Sequence, residues 1–304
     1  MASSPIHQVE QGVTKDDDGE EEQQTRDWAG LPLDTLLAVL GRLDLADVVL
    51  GAGHVCRPWR RAAREEPALW RRIHIGRSSK LGTYYRFEPG ARLAVRRCLR
   101  WCEAFSADDT VFLPDAAPQL KSLRLTLTPL NVICKQDLND AIRKFTMLEE
   151  LELSLASDDT ALYSSGSLAK TCAVVALSCP LLKCFRLNKY RFHWQSQFGD
   201  DEAMEIARMP GLRSLQLFGN SLCNASLAAI LDGCVSLESL DIRHCFNVEM
   251  NEEMRAKCAR LQTLRLPEDS MDDYELSFGC PKMEPDSPGT PGDPDNIGSS
   301  WYFR

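Results

Sequence analysis

The chain has 304 residues, 44% of them hydrophobic, and a formal net charge of −9, which suffices for one extended folded domain or two ordinary ones. It contains no run of about 18 apolar residues, and the first segment, MASSPIHQVEQGVTKDDDGEEEQQ, lacks an apolar stretch behind a basic flank, so neither a membrane-spanning nor a secreted chain is expected. Twelve cysteines spread over so long a chain then point to reduced thiols in the cytoplasm and/or nucleus rather than to a disulfide framework.

Residues 1–26 are acidic, polar and without hydrophobic periodicity, so they are expected to be a disordered tail. The charge then reverses along the chain. Residues 1–27 carry eight acids and two bases, residues 57–100 three acids and thirteen bases, and residues 268–304 nine acids and two bases. A basic centre raises the question of nucleic acid. Arg57, Arg60, Arg61, Arg64, Arg71 and Arg72 interleave with Trp59, Leu69 and Trp70 at helical spacing, without a nucleic-acid-binding motif. A solvated or acid-facing helix surface is therefore expected.

From Leu31 to Trp70 the apolar spacing is helical. Leu36, Leu37, Leu40 and Leu43 form the stripe of a first short helix that Pro32 opens and Gly41 closes. Asp44, with Asp47 three residues on, fits the start of a second helix carrying Leu45, Val48 and Val49. Val55, Cys56 and Trp59 belong to a third, with Pro58 in its first turn. Three helices in forty residues cannot bury many side chains unaided.

From Leu120 onward the pattern changes to L-x-x-L-x-L. It occurs at Leu120/Leu123/Leu125, Leu148/Leu151/Leu153, Leu182/Phe185/Leu187, Leu212/Leu215/Leu217, Leu237/Leu240/Ile242 and Leu261/Leu264/Leu266, with starts 24 to 34 residues apart. Six recurrences at that period predict a leucine-rich-repeat solenoid, each unit a short strand and a returning helix. DDEAMEIARMPGL and NASLAAILDGCVSL read as two of those helices. The position three after each motif, where Asn or Cys bonds inside the turn, is Thr128, Ala156, Tyr190, Asn220, Cys245 and Asp269. WRRIHI, Trp70 to Ile75, fits a first strand, and residues 77–113 fit one or two degenerate repeats. The aromatic segment with Tyr190, Phe192, Trp194 and Phe198 reads equally well as a cover over the stack or as a partner contact. The closing stretch, rich in Pro, Gly, Ser and Asp, is expected to be disordered.

Catalytic and metal signatures are weak. Cys98/Cys102 and Cys179/Cys184 are not C-x-x-C pairs, the five histidines are scattered, and G-x-S-x-G, P-loop and H-E-x-x-H motifs are missing. No catalytic residue, metal or cofactor is expected. In parallel strands the side chains between the leucines point outward. One such column is Arg124, Glu152, Arg186, Gln216, Asp241 and Arg265, and the next is Thr126, Ser154, Asn188, Phe218, Arg243 and Pro267. These charged columns read equally well as a solvated surface or as the contact for a polar protein partner, ahead of nucleic acid or a greasy ligand, and no membrane partner is expected. Arg124, Glu152, Arg186, Gln216, Phe218, Asp241, Arg243 and Arg265 are the candidate contacts on that concave face.

Two features resemble a known family. Leu31, Pro32 and Asp34, the apolar series Leu36, Val39, Leu40, Leu43 and Leu45, then Val55, Cys56, Trp59 and Arg60, then Pro67, Leu69 and Trp70 are similar to the F-box. CVSLESLDIRHC, Cys234 to Cys245, is similar to the cysteine-containing leucine-rich repeat, and LFGNSL, ILDGC, SLDIRHCFNV and LRLPEDSMDDYE look like plant F-box/LRR-repeat proteins. The resemblance implies an α/β (α+β) fold: a small three-helix F-box at 27–72, then a short solenoid at 73–278, a curved parallel sheet with helices on its convex face, with tails at 1–26 and 279–304. It also implies a non-catalytic substrate receptor of an SCF ubiquitin ligase. The F-box would dock a Skp-type adaptor, and through it cullin and a RING subunit, by Leu31, Pro32, Leu36, Leu40, Leu43, Val55, Trp59 and Trp70. The repeats would bind a protein destined for ubiquitination and the proteasome. The alternative is a repeat scaffold acting outside a ligase.

Overall fold

The computed structural model describes residues 27–76, 89–108, 117–127, 135–155, 168–189 and 198–272. The tails and most of the aromatic segment, with Tyr190, Phe192 and Trp194, fall outside those residues, as do Thr128 and Ala156.

The chain opens with helices α1 (Leu33–Leu40), α2 (Leu45–Leu50), α3 (Ala52–Val55) and α4 (Arg57–Glu65). Pro32 stands just before α1, and Gly41 receives its end by donating its N–H to Leu37. The Asp44 carboxylate accepts from the Ala46 N–H at 2.7 Å, so the expected N-cap of α2 forms. Pro58 falls in the first turn of α4, where its missing N–H costs nothing. Four helices replace the three expected because the chain breaks at GAGH. Gly51 closes α2 by donating to the Asp47 carbonyl at 2.8 Å, and a Cβ there would lie 2.7 Å from that same oxygen. The next turn, α3, is fastened from α4 by Arg60 Nε donating to the Gly53 carbonyl at 2.7 Å.

Beyond these helices the strands β1 (Arg72–Ile75), β2 (Ala104–Ala107), β3 (Ser122–Leu127), β4 (Glu150–Leu155), β5 (Cys184–Lys189), β6 (Ser214–Gln216), β7 (Ser239–Asp241) and β8 (Thr263–Arg265) form one open parallel sheet in sequence order. WRRIHI supplies β1, and one degenerate repeat supplies β2. Between strands the chain returns through α5 (Pro89–Cys98), α6 (Lys135–Ile142), α7 (Ala169–Ser178), α8 (Phe198–Ile206), α9 (Asn224–Gly233) and α10 (Glu252–Cys258). From α6 onward these helices stack in the same order as the strands. That sequential order is what a solenoid of strand-helix units requires.

The register explains the leucine period. Ile73, Phe105, Leu123, Leu151, Phe185, Leu215, Leu240 and Leu264 stand side by side, and all but half-buried Leu264 are buried. A fully buried side chain of this size contributes about 1.5–3 kcal/mol, and each member between the two edge strands stands between two like neighbours.

The turn after the strand repeats its own chemistry. Asn220 Nδ2 donates to the Leu187 carbonyl of the preceding repeat at 2.8 Å, and one repeat later Cys245 Sγ donates to the Leu217 carbonyl at 2.7 Å. The residue before each, Gly219 and His244, has φ of 64° and 58°. Glycine takes that left-handed conformation freely, whereas His244 is held there between the rings of Phe218 and Phe246, 4.8 and 5.3 Å away. At the end of α9, Gly233 lies so close to its neighbour that a Cβ would stand 2.0 Å from the Ala207 carbonyl. Buried Cys234 follows and donates its thiol to the Ile206 carbonyl.

Candidate functional site

Helices α1 to α4 divide the F-box-like residues into two sets. Leu36 and Leu40 face inward from α1, Trp59 is held within α4, and Trp70 is 1% exposed at the junction with β1. Trp59 donates its indole N–H to the Trp28 carbonyl at 3.0 Å, and the two rings meet edge to face at 6.2 Å. These four residues are expected contacts that the fold buries instead, because four short helices and the first strand provide enough cover for them. Leu31 is half-buried and Pro32 is exposed. Leu43 at 40% and Val55 at 52% stand in solvent, joined by Trp28 and Leu33. Trp28 and Leu33 were missed by motif reading. Their signal was an apolar residue on each side of Leu-Pro, off the buried stripe of α1.

The outward column of the sheet is polar and partly self-neutralising. In register it runs His74, Ser106, Arg124, Glu152, Arg186, Gln216, Asp241 and Arg265. Glu152 sits between two guanidinium groups, 2.8 Å from Arg124 Nε and 3.3 Å from Arg186 Nη1. The guanidinium groups of both pairs reach solvent, which screens them, and the column keeps a positive excess.

The second column is not outward. Thr126, Ser154, Asn188, Phe218 and Arg243 are all buried, and Pro267 with them. Phe218 lies under the His244 ring, and Arg243 grips Asp241 at 2.7 Å while donating to the Ser270 carbonyl at 2.9 Å. Asn188 bonds Ser154 Oγ at 3.1 Å and accepts from Gln216 at 3.1 Å. The expectation that Phe218 and Arg243 line an open face is therefore corrected. Past the last leucine the backbone leaves the strand for the turn, and alternation no longer fixes direction. Beneath that turn lies a feature that periodicity did not show, a buried pair of Lys189 Nζ and Glu202 Oε2 at 2.8 Å. Glu202 also accepts from the Leu168 N–H.

The ten described cysteines are free thiols. Burial pushes Cys98, Cys102 and Cys245 up to about 12, and Cys179 and Cys234 up to about 11. Thiols held neutral in this way are poor nucleophiles and poor metal ligands. Among the described residues no cluster of His, Cys, Asp and Glu is placed to hold a metal ion. His74 Nδ1 lies 2.8 Å from Ser106 Oγ and Nε2 lies 3.8 Å from Asp108. That imidazole is largely open to solvent, where water screens both contacts. Among the described residues no helix is long and apolar enough to cross a membrane.

A small helical unit with an exposed apolar surface, followed directly by an open solenoid of strand-helix repeats, defines the class of an F-box joined to leucine-rich repeats. The F-box-like family model matches residues 28–76. The chain is 36% identical over 261 residues to putative F-box/LRR-repeat protein 23 of Arabidopsis thaliana, covering 83% of this chain and 56% of that protein. It is 34% identical to putative F-box/LRR-repeat protein 22 and to F-box protein SKIP19 of the same plant, covering 83% of this chain and 81% of each. The chain belongs to the plant F-box/LRR-repeat family.

Proposed function

We propose that this chain is the substrate-recognition subunit of an SCF ubiquitin ligase, acting in the cytoplasm and/or nucleus, in which the F-box docks a Skp-type adaptor and the repeats hold the protein to be ubiquitinated. The observation that carries this reading is the exposed apolar set Trp28, Leu33, Leu43 and Val55 on a unit whose Leu36, Leu40, Trp59 and Trp70 are buried. Exposed apolar side chains of this size on a small helical unit suit a protein interface, and Trp is a common interface anchor. In this reading the chain itself performs no chemistry. It supplies positioning, bringing a bound protein near the ligase's catalytic subunits.

The substrate side is the outward column Arg124, Glu152, Arg186, Gln216, Asp241 and Arg265. In that column Arg124, Arg186 and Arg265 stand against Glu152 and Asp241, and Asp241 is already held by the buried Arg243, which favours a partner segment carrying carboxylates. Phe218 and Arg243 act as the support of that surface.

The test is co-purification of a Skp-type adaptor and cullin with the full chain. The wild type is expected to retain both, and Leu43→Asp/Val55→Asp to lose both while keeping its melting temperature. Failure of the wild type to bind adaptor would sink the proposal, and adaptor binding without cullin would favour a scaffold outside the ligase.

A further inference from the structure

Between the F-box helices and the first repeat lies a cavity of about 890 Å³, a size ordinary for a small-molecule site. Its described lining comes from α2 (Val48, Val49, Leu50), from the α3 turn (Gly53, His54), from α4 and its junction with β1, and from α5 with the turn that follows. Arg60 and Arg64 reach it from α4, and Arg96, Arg97 and Arg100 from the repeat side, against one carboxylate, Glu65. Glu65 is already paired with Arg61 at 3.1 Å, outside the lining. Arg60 spends its Nε on the Gly53 carbonyl, and Arg100 lies 3.7 Å over the Trp101 ring. Both contacts fix the guanidinium planes and leave other N–H groups of each for a ligand. Arg97 and Arg100 both lie near the Cys98 thiol, which also lines the cavity.

A second observation is independent of charge. Trp70 lines the same cavity, is 1% exposed, and its indole N–H has no hydrogen-bond partner. Buried donors are nearly always satisfied, and an orphan calls for an unseen acceptor. Even with Arg96 set aside, Arg60, Arg64, Arg97 and Arg100 bring four positive charges around one concavity, and an anion among them relieves their repulsion. Guanidinium groups match phosphate oxygens by paired, charge-assisted hydrogen bonds.

We infer that the cavity between α2, α4 and α5 binds a compact, multiply charged phosphate-bearing anion, held by Arg64, Arg97 and Arg100 with the Trp70 N–H donating to one of its oxygens. Such a ligand bridges the F-box to the first repeat and fixes the angle between the adaptor-facing and substrate-facing parts. A small phosphate compound fits better than an acidic peptide. The lining comes from several elements, and the buried indole N–H calls for a compact acceptor, whereas an acidic peptide spreads its carboxylates along a chain.

The experiment is isothermal titration of the full chain with sodium tripolyphosphate, beside Arg64→Gln/Arg97→Gln and, as a control at an arginine outside the lining, Arg42→Gln just past α1. Saturable binding by the wild type is expected, weakening about tenfold or more for each cavity arginine removed and unchanged in Arg42→Gln. Equal melting temperatures of the cavity variant and wild type, without ligand, guard against misfolding. Two further arms separate the sources of the phosphate. Phosphatidylcholine vesicles carrying a bisphosphorylated phosphoinositide test a lipid headgroup, and inositol hexakisphosphate tests a soluble one; arginine-dependent binding in either arm supports the site and names its source. No saturable binding of any phosphate probe, equal binding by Arg64→Gln/Arg97→Gln, or tighter binding of a DDDGEEE peptide than of tripolyphosphate would overturn the inference.

Discussion

The F-box and the repeats use the same apolar alphabet for different ends. In β2 to β7 each apolar residue of the strand pattern is buried against its equivalent in the next repeat, so the solenoid completes its own core. In the F-box the apolar residues split, Leu36, Leu40, Trp59 and Trp70 going inward and Trp28, Leu33, Leu43 and Val55 outward. A periodic stack gives every interior unit two like neighbours. A unit of some forty residues has only one, the first repeat, and its remaining apolar surface is left for a partner. Residues that look alike in a motif thus divide into those that hold the chain together and those free to hold something else.

The strongest way to sharpen that contrast is to empty the solenoid core. Phe185→Ala removes a fully buried ring from the middle of the sheet and is expected to cost about 3–5 kcal/mol, measured by denaturant unfolding. Close behind comes Lys189→Met, which leaves the Glu202 carboxylate buried without its cation. A loss of about 3 kcal/mol or more is expected, with partial recovery in Lys189→Met/Glu202→Gln, whose amide keeps an acceptor for the Leu168 N–H.

The thiols give a pH test confined to the fold behind the F-box. Buried Cys98, Cys102, Cys179, Cys234 and Cys245 keep their protons up to about pH 11–12, while unfolded thiols lose theirs from about 8.5. Their folded values are raised, so the stability they contribute is complete below pH about 8.5 and is lost as pH rises towards 11–12. Melting temperature should therefore be flat near neutrality and fall from pH about 9 upward, and a flat profile to pH 11 would show the thiols to be solvated. The smallest expected effect is on the other side of the comparison. Leu43→Asp/Val55→Asp should change unfolding free energy by no more than about 0.5 kcal/mol, and a larger loss would mean that these two side chains belong to the core after all.

Much of the architecture was legible because strand position and burial share one period. The six L-x-x-L-x-L motifs give β3 to β8 in order, and Asn220 and Cys245 do in the turn what their position suggests. Alternation failed one residue past the strand, where Phe218 and Arg243 turn inward with the backbone. It was silent on Lys189 and Glu202, thirteen residues apart and joined only by the return of α8. In the F-box the motif identified the unit, yet which of its members point outward depends on how four helices close around Trp59 and Trp70. The basic run was visible as a count of charges, but its gathering into one cavity needs the first repeat to fold back beside α4.

The division of labour between the two regions can be read directly by hydrogen–deuterium exchange of the full chain with and without a saturating Skp-type adaptor. Exchange is expected to slow across residues 28–58, around Trp28, Leu33, Leu43 and Val55, and to stay unchanged in the sheet from Leu120 to Leu266. Slowing centred on the sheet with the F-box unaffected would contradict the account.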